Sequence, residues 1–265
     1  MIDAFRKFFR PQPERPQPAV PPGERVYAVG DVHGCRKLFD ALIEAIERDD
    51  SCREQAHTTI VLLGDLIDRG EDSAGVIASA RALATRRETH VLCGNHEEML
   101  LRSLDDLDVL RRFLRFGGRE TILSYPIDRR AWDEATLEEA QRMMHDAILP
   151  EDLSYIRRFE DWFVCGDYLF VHAGVEPGVP LEQQKHEHLR WIREPFLSSS
   201  VDNGHVVVHG HTIVEEPAVR HNRIGIDTGA YMSGRLTALA LEGSDRWLIE
   251  AAQVDEEIVT GSRPV

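Results

Sequence analysis

The chain has 265 residues, of which 42% are apolar and 29% charged, with a formal net charge of -15. That length suffices for one large α/β domain with a substantial core, and the composition is that of a soluble globular protein. The acidic balance excludes a general nucleic-acid binder, which needs a basic footprint, and no run approaches the roughly 18 apolar residues of a membrane-spanning helix.

Residues 1–24 differ from the rest. Six of the thirteen prolines fall between Pro11 and Pro22, so the stretch reads as an extended, flexible tail. Before it comes Ile2-Asp3-Ala4-Phe5-Arg6-Lys7-Phe8-Phe9-Arg10, basic and aromatic but short for an isolated helix. The amino terminus lacks the apolar core of a signal peptide. Cys35, Cys52, Cys93 and Cys165 include no CxxC pair. Neither a zinc knuckle nor a disulfide framework is indicated, and a reducing cytoplasm is expected. Cys35 and Cys93 adjoin the motifs below and read as small buried residues.

From residue 25 strands and helices alternate. Residues 25–29, 59–63 and 89–93 are apolar or β-branched runs, each ending at a glycine. Leu38, Leu42, Ile43 and Ile46 recur at helical spacing between the first two, and Val76, Ile77, Ala80 and Leu83 between the second and third. This is the βαβ pattern of parallel strands with right-handed crossovers. Residues 98–160 are charge-rich without a strand period and read as a helical insertion over one end of the sheet. Strands resume at 168–172, 205–209, 223–227 and 236–241. A main domain over 25–250 is expected, followed by a tail over 251–265. There is no internal repeat.

Five motifs carry the chemistry: Gly30-Asp31-Val32-His33-Gly34, Gly64-Asp65-Leu66-Ile67-Asp68-Arg69-Gly70, Gly94-Asn95-His96-Glu97, His172-Ala173-Gly174 and His209-Gly210-His211-Thr212. Asp-Gly and Gly-Asn pairs are common in turns, but turns have no reason to select histidine, which four of the five motifs contain. Each motif follows an apolar run, at the carboxyl edge where open α/β sheets bind ligands. Oxygen ligands combined with imidazoles suit Mn²⁺, Fe or Zn²⁺ better than Ca²⁺. Two such ions about 3.5–4 Å apart, sharing one carboxylate, can clamp both oxygens of a phosphoryl transfer. Arginine can grip the phosphate, and histidine can protonate a leaving group.

The ordered motifs resemble the phosphoprotein phosphatases within the calcineurin-like metallophosphoesterases, most closely the compact bacterial and phage serine/threonine phosphatases. Three further segments carry the likeness: Gly94-Asn95-His96-Glu97-Glu98-Met99-Leu100, Trp191-Ile192-Arg193, and the stretch 222–239. Together the resemblance spans about residues 25–245. It implies a two-sheet β-sandwich flanked by helices, where strand–helix alternation alone suggests an open doubly wound sheet. It implies two divalent ions, most simply Mn²⁺, with Asp31 and His33 on the first, Asp65 bridging, and Asn95, His172 and His211 on the second. It makes His96 the general acid, oriented by Asp68, and gives the phosphate to Arg69, Arg193 and Asn95, with a metal-bridging hydroxide as nucleophile.

His209, two residues before His211, is open to a supporting hydrogen-bond role. Arg190 stands where the family often has an apolar residue, either facing solvent or reaching the site's rim, and Ile213 replaces a frequent proline. The expected function is phosphomonoester hydrolysis on phosphoserine or phosphothreonine in proteins. The alternative is a symmetrical dinucleoside polyphosphate hydrolase, which should want aromatic surfaces in the helical insertion. Tyr125, Trp132 and Tyr155 are the candidates there, if they do not pack in the core. Arg69-Gly70-Glu71-Asp72-Ser73 and the Glu97-Glu98 pair lean towards the phosphatase. A catalytically dead scaffold would have lost one of Asp31, Asp65, Asn95, His96 or His172, and none is missing.

Overall fold

The computed structural model describes residues 17–265. Most of the expected tail, residues 1–16, lies outside them. In chain order the strands are β1 (Glu24–Val29), β2 (His57–Leu62), β3 (Glu88–Val91), β4 (Trp162–Cys165), β5 (Tyr168–Val171), β6 (Val206–His209), β7 (Ala218–Val219), β8 (Arg223–Gly225), β9 (Arg235–Glu242), β10 (Asp245–Val254) and β11 (Glu257–Pro264). The helices are α1 (Arg36–Ser51), α2 (Ser73–Ala84), α3 (Asn95–Ser103), α4 (Leu107–Phe113), α5 (Arg119–Leu123), α6 (Arg129–Glu134), α7 (Leu137–Ala147), α8 (Pro150–Ile156), α9 (His186–Trp191) and α10 (Ala230–Ser233). A π-turn, Leu114–Gly118, joins α4 to α5.

Two sheets stack face to face. One has the order β11-β10-β9-β1-β2-β3 and the other β4-β5-β6-β8-β7. This is the β-sandwich flanked by helices, not the open doubly wound sheet that strand–helix alternation alone suggests. The βαβ pattern does hold for β1, β2 and β3, which are parallel. β9 then pairs antiparallel to the free edge of β1. The side-chain period of two fixes the layers. Val26 and Ala28 of β1 face the second sheet, joining Val61, Phe170, Val208 and Leu239 in the central layer. Tyr27 and Val29 point the other way, under Leu42 and Ile46 of α1 and Val76 of α2. Leu169 and Val171 of β5 form a third layer with Leu189 of α9 and Phe196. At about 25 cal/mol per Å² of apolar area, these layers supply the main driving force for the fold.

Arg25 is a buried charge in β1 that the sequence does not flag. Asp50 at 2.8 Å and Glu242 at 2.9 Å neutralise it. Helices α3 to α8 lie between β3 and β4. Their apolar side chains, including Trp132, join the core beneath α1 and α2, as does Tyr125 from the connection after α5.

Two boundary expectations are corrected. Residues 18–20 are not a tail: Ala19 N–H donates to Asp167, Val20 N–H donates to Gly243, and Val20 is buried. Proline there does not preclude docking, because the neighbouring N–H groups make the bonds. Residues 251–264 are likewise strand, in the β10–β11 hairpin. β11 is largely exposed and polar, so it lacks the apolar alternation that marks a strand in sequence. Among the described residues no helix is long and apolar enough to cross a membrane.

Candidate metal centre

The carboxyl ends of β1, β2, β3, β5, β6 and β8 meet at one crest. Asp31 and His33 follow β1, Asp65 to Arg69 follow β2, and Asn95 and His96 open α3 just after β3. His172 follows β5, His211 follows β6 and Asp227 follows β8. Their backbone is unusual: His33, Asp65, Asp68, Arg69 and His211 all have φ between 46° and 74°. Non-glycine residues rarely adopt this left-handed region, and its concentration here marks a site over-determined by its surroundings. Gly94 is required by close approach, since a Cβ would collide with the Asp65 carboxylate.

Asp65 sits at the middle. Its Oδ2 lies 3.6 Å from His33 Nε2 and 3.9 Å from His96 Nε2, while its Oδ1 lies 3.5 Å from His172 Nε2. Two donor groups result, His33–Asp65–His96 and Asp65–His172–His211, all buried and sharing Asp65. Glu97 holds the bridging loop by accepting from the N–H groups of Asp65, Leu66 and Gly94. The first group contains His96, expected as the acid, and not Asp31. The Asp31 carboxylate accepts from the His211 N–H at 3.0 Å and is crowded by the charge of Asp227. Asp227 was missed in the sequence, although it too ends a strand run at the carboxyl edge.

The donors fit divalent cations. His33 Nδ1 donates to Ile67 O and His172 Nδ1 to Leu63 O, each at 2.8 Å, which leaves both Nε2 lone pairs for the centre. His172 Nε2 and Asn95 Oδ1 stand 3.1 Å apart, two acceptors with a common target. His211 Nε2 is buried and has no hydrogen-bond partner among the described residues. Burial, with the neighbouring imidazoles, lowers His33 and His211 to about 3 and also lowers His172, so all three imidazoles are neutral. Burial and its acidic neighbours Asp227 and Asp65 push Asp31 well up, and burial holds Asp227 at about 6. Carboxylates crowded in this way need positive charge between them. Burial would raise Asp65 as well, but the surrounding imidazoles outweigh it and hold it below the ordinary range.

His96 differs from the other imidazoles. Burial opposes its protonation, yet Asp65 and Asp68 outweigh burial and raise it. Its Nδ1 lies 2.5 Å from Asp68 Oδ2. Asp68 Oδ1 in turn accepts from Thr121 Oγ1 of α5, and its N–H is shared by Thr121 and Ser73. Thr121 carries no motif, so the sequence gives no sign of it. Arg69 donates to His33 Nε2 at 2.8 Å and to His96 Nε2 at 2.9 Å. Arg193 is exposed, and its charge is felt at His211.

His209 is buried against Phe196 and its Nδ1 lies 3.0 Å from Gly210 O. Arg190 neither faces solvent nor is free at the rim, because Asp161 and Glu98 hold it. Cys35 and Cys93 are free thiols raised by burial. Tyr125 and Trp132 are buried and Tyr155 packs edge-on against Phe159, so none is a stacking platform. The aromatic at the mouth is Tyr231 of α10, which is 37% exposed. Its ring lies 5.3 Å from that of His33 and 4.8 Å from the Arg69 guanidinium carbon.

A two-sheet sandwich with carboxylate–imidazole groups at its crest defines a metallophosphoesterase. The chain belongs to the calcineurin-like phosphoesterase family, whose model matches residues 24–229. It is 26% identical to the asymmetrical bis(5'-nucleosyl)-tetraphosphatase PrpE of Halalkalibacterium halodurans over 80% of this chain and 87% of that one. It is 29% identical to a symmetrical bis(5'-nucleosyl)-tetraphosphatase of Nitrosospira multiformis over 60% of this chain and 46% of that protein. Among solved structures, one provisionally described as a diadenosine tetraphosphatase matches with a TM-score of 0.58 and 19% identity, covering 92% of this chain and 96% of that one. The cold-active protein-tyrosine phosphatase of a psychrophilic Shewanella matches at 0.56 and 18%, covering 91% and 83%. These last two likenesses concern the fold alone.

Proposed function

We propose that the chain hydrolyses the polyphosphate bridge of dinucleoside polyphosphates. Tyr231 is the observation that carries this reading. An exposed aromatic ring flanks the centre and its anion-binding arginine, where a nucleobase attached to a bound phosphate would lie. The bis(5'-nucleosyl)-tetraphosphatase relatives support the same reading over the phosphoprotein phosphatase that the motifs resemble.

In this reading Asp31, His33 and Asp65 hold one divalent ion, and Asp65, Asn95, His172 and His211 hold the other. When bound, the ions supply Lewis-acid charge and an activated water. The chain's own residues do the rest. Arg69 and Arg193 bind the phosphate that is attacked. To reach it, Arg69 leaves the Nε2 atoms of His33 and His96. That frees His96 Nε2 to carry a proton, which it delivers to the departing phosphate oxygen while Asp68 holds Nδ1. Manganese, with iron or zinc as alternatives, remains the proposed metal.

The test is a paired assay after metal stripping and Mn²⁺ readdition, with diadenosine tetraphosphate in one tube and a phosphoserine peptide in the other. The expected result is Mn²⁺-dependent cleavage of the dinucleotide and slow or no release from the peptide. Products would be ATP with AMP for an asymmetrical cut, or two ADP for a symmetrical one. Rapid peptide dephosphorylation with the dinucleotide intact would overturn the proposal and restore the protein phosphatase.

A further inference from the structure

The metal centre has two flanks. Tyr231 lies on the His33 side. On the His172 side a groove of about 800 Å³ opens, lined by Glu98, Arg102, Arg112, Glu187, Arg190 and Trp191 among others. We infer that this groove is a second nucleoside-phosphate site, taking the half of the substrate that Tyr231 does not. The inference rests on the dinucleotide reading above.

Its position follows from α3. That helix begins in the centre with Asn95 and His96, and Glu98 and Arg102 follow one and two turns on. At 1.5 Å per residue, Arg102 lies about 9 Å along the axis beyond His96, within reach of a polyphosphate chain. The opposite wall is α9, which ends in Trp191, two residues before Arg193. Asn95, at the foot of α3, has its Oδ1 3.1 Å from His172 Nε2, so the groove opens from the His172 side of the centre.

The lining suits a base and a phosphate. Arg102 and Arg190 both pair with Glu98 at 3.3 Å, and Arg190 also pairs with Asp161 at 2.7 Å. Trp191 Nε1 donates to the same Glu98. The indole's one polar group is thereby satisfied, leaving its face for stacking. Arg112, exposed on α4, has no ion pair among the described residues and stands ready for an anion. Glu187 can accept from an exocyclic amine of the base. Leu101 and the Trp191 ring give the groove an apolar wall against which a base can lie, between the charged ends of Arg102, Arg112 and Glu187.

The test uses the Mn²⁺-loaded full chain and ADP as probe, followed by tryptophan fluorescence. Saturable quenching is expected in the wild type and lost in Trp191→Phe. Arg112→Glu, on an exposed helical position, should weaken ADP binding by at least about fivefold. In both variants the KM for diadenosine tetraphosphate should rise relative to that for an aryl phosphate. Absence of quenching in the wild type, or wild-type ADP affinity in Arg112→Glu with an unchanged KM for the dinucleotide in both variants, would overturn the assignment. Quenching that depends on Trp191 and Arg112 in a protein unable to cleave the dinucleotide would uphold the groove and sink only the proposed function.

Discussion

Thr121 Oγ1 stands 2.5 Å from Asp68 Oδ1, so a helix between β3 and β4 braces the carboxylate that holds His96. Replacing Thr121 by Val removes that hydroxyl and leaves the Asp68 N–H to Ser73 alone. The buried hydrogen bonds lost should cost about 1–3 kcal/mol of stability. A fall in kcat of about tenfold is expected as His96 loses its fixed angle, with KM little changed. Thr121→Ser should restore kcat. If Val and Ser variants turned over alike, the brace would be only structural.

His96→Asn and Asp65→Asn should separate two roles. The first should slow the reaction by about 10²–10³-fold while metal stays bound. The loss should be smaller on a phosphoanhydride, whose leaving group is a weak base, than on an alkyl phosphomonoester. The second should lose metal and activity together, because both donor groups share Asp65. Metal content per chain, measured beside kcat, checks both expectations.

Chelation should lower Tm as well as abolish turnover. Metal binds the folded donors and not the unfolded chain, so at a free concentration of 100 times Kd one site adds about 2.7 kcal/mol. Melting curves with Mn²⁺, Fe²⁺ and Zn²⁺ across a concentration series would show it. A Tm independent of metal would contradict the donor assignment.

Tyr231→Ala should raise the KM for diadenosine tetraphosphate by about fivefold, the low end of a stacked base. Tyr231→Leu should recover little, since a branched aliphatic offers no π-face. Equal KM values in all three proteins would remove the main support for a nucleotide substrate.

Acid should weaken the join between α1 and the first sheet. Burial would raise Asp49, but Arg53, Tyr27 and Trp247 outweigh it and hold it below the ordinary carboxylate value of 3.8. Asp50 is held down against burial by Thr58, Arg25 and Arg87. Folded values below the unfolded ones mean stability fully present above about pH 4 and lost as pH falls through the lowered values. Asp49→Asn should cost about 2 kcal/mol at neutral pH through its lost charged hydrogen bonds. It should also flatten the acid limb of a denaturation series between pH 4 and pH 2. An unchanged limb would refute the assignment.

The site was more legible than the fold that carries it. Asp31, His33, Asp65, Asn95, His96, His172 and His211 sit in short motifs because a strand end followed by glycine leaves a recognisable local trace. The sandwich left none: whether β9 pairs with β1 or starts a new layer is decided by contacts across about 210 residues of sequence. Tyr231 and Thr121 were silent for the same reason, each being an ordinary residue whose meaning comes from a distant neighbour. The resemblance supplied the layers but could not choose the substrate, since the metal donors that carry it serve esters and anhydrides alike. Strand β11 escaped because a mostly solvated strand has no buried face to impose an alternation.

The donors of the centre come from both sheets, Asp65 from the end of β2 and His172 and His211 from the ends of β5 and β6. At the opposite end of the sandwich, Ala19 reaches Asp167 of one sheet while Val20 reaches Gly243 of the other. The two layers are therefore buckled at both ends, by a peptide strap below and, once loaded, by ions above. Losing the ions would unfasten one end only. Shear of one sheet over the other would then begin at the crest and fade towards the strap, so the end of the sandwich that gathers the donor groups is the end whose stiffness would follow metal occupancy.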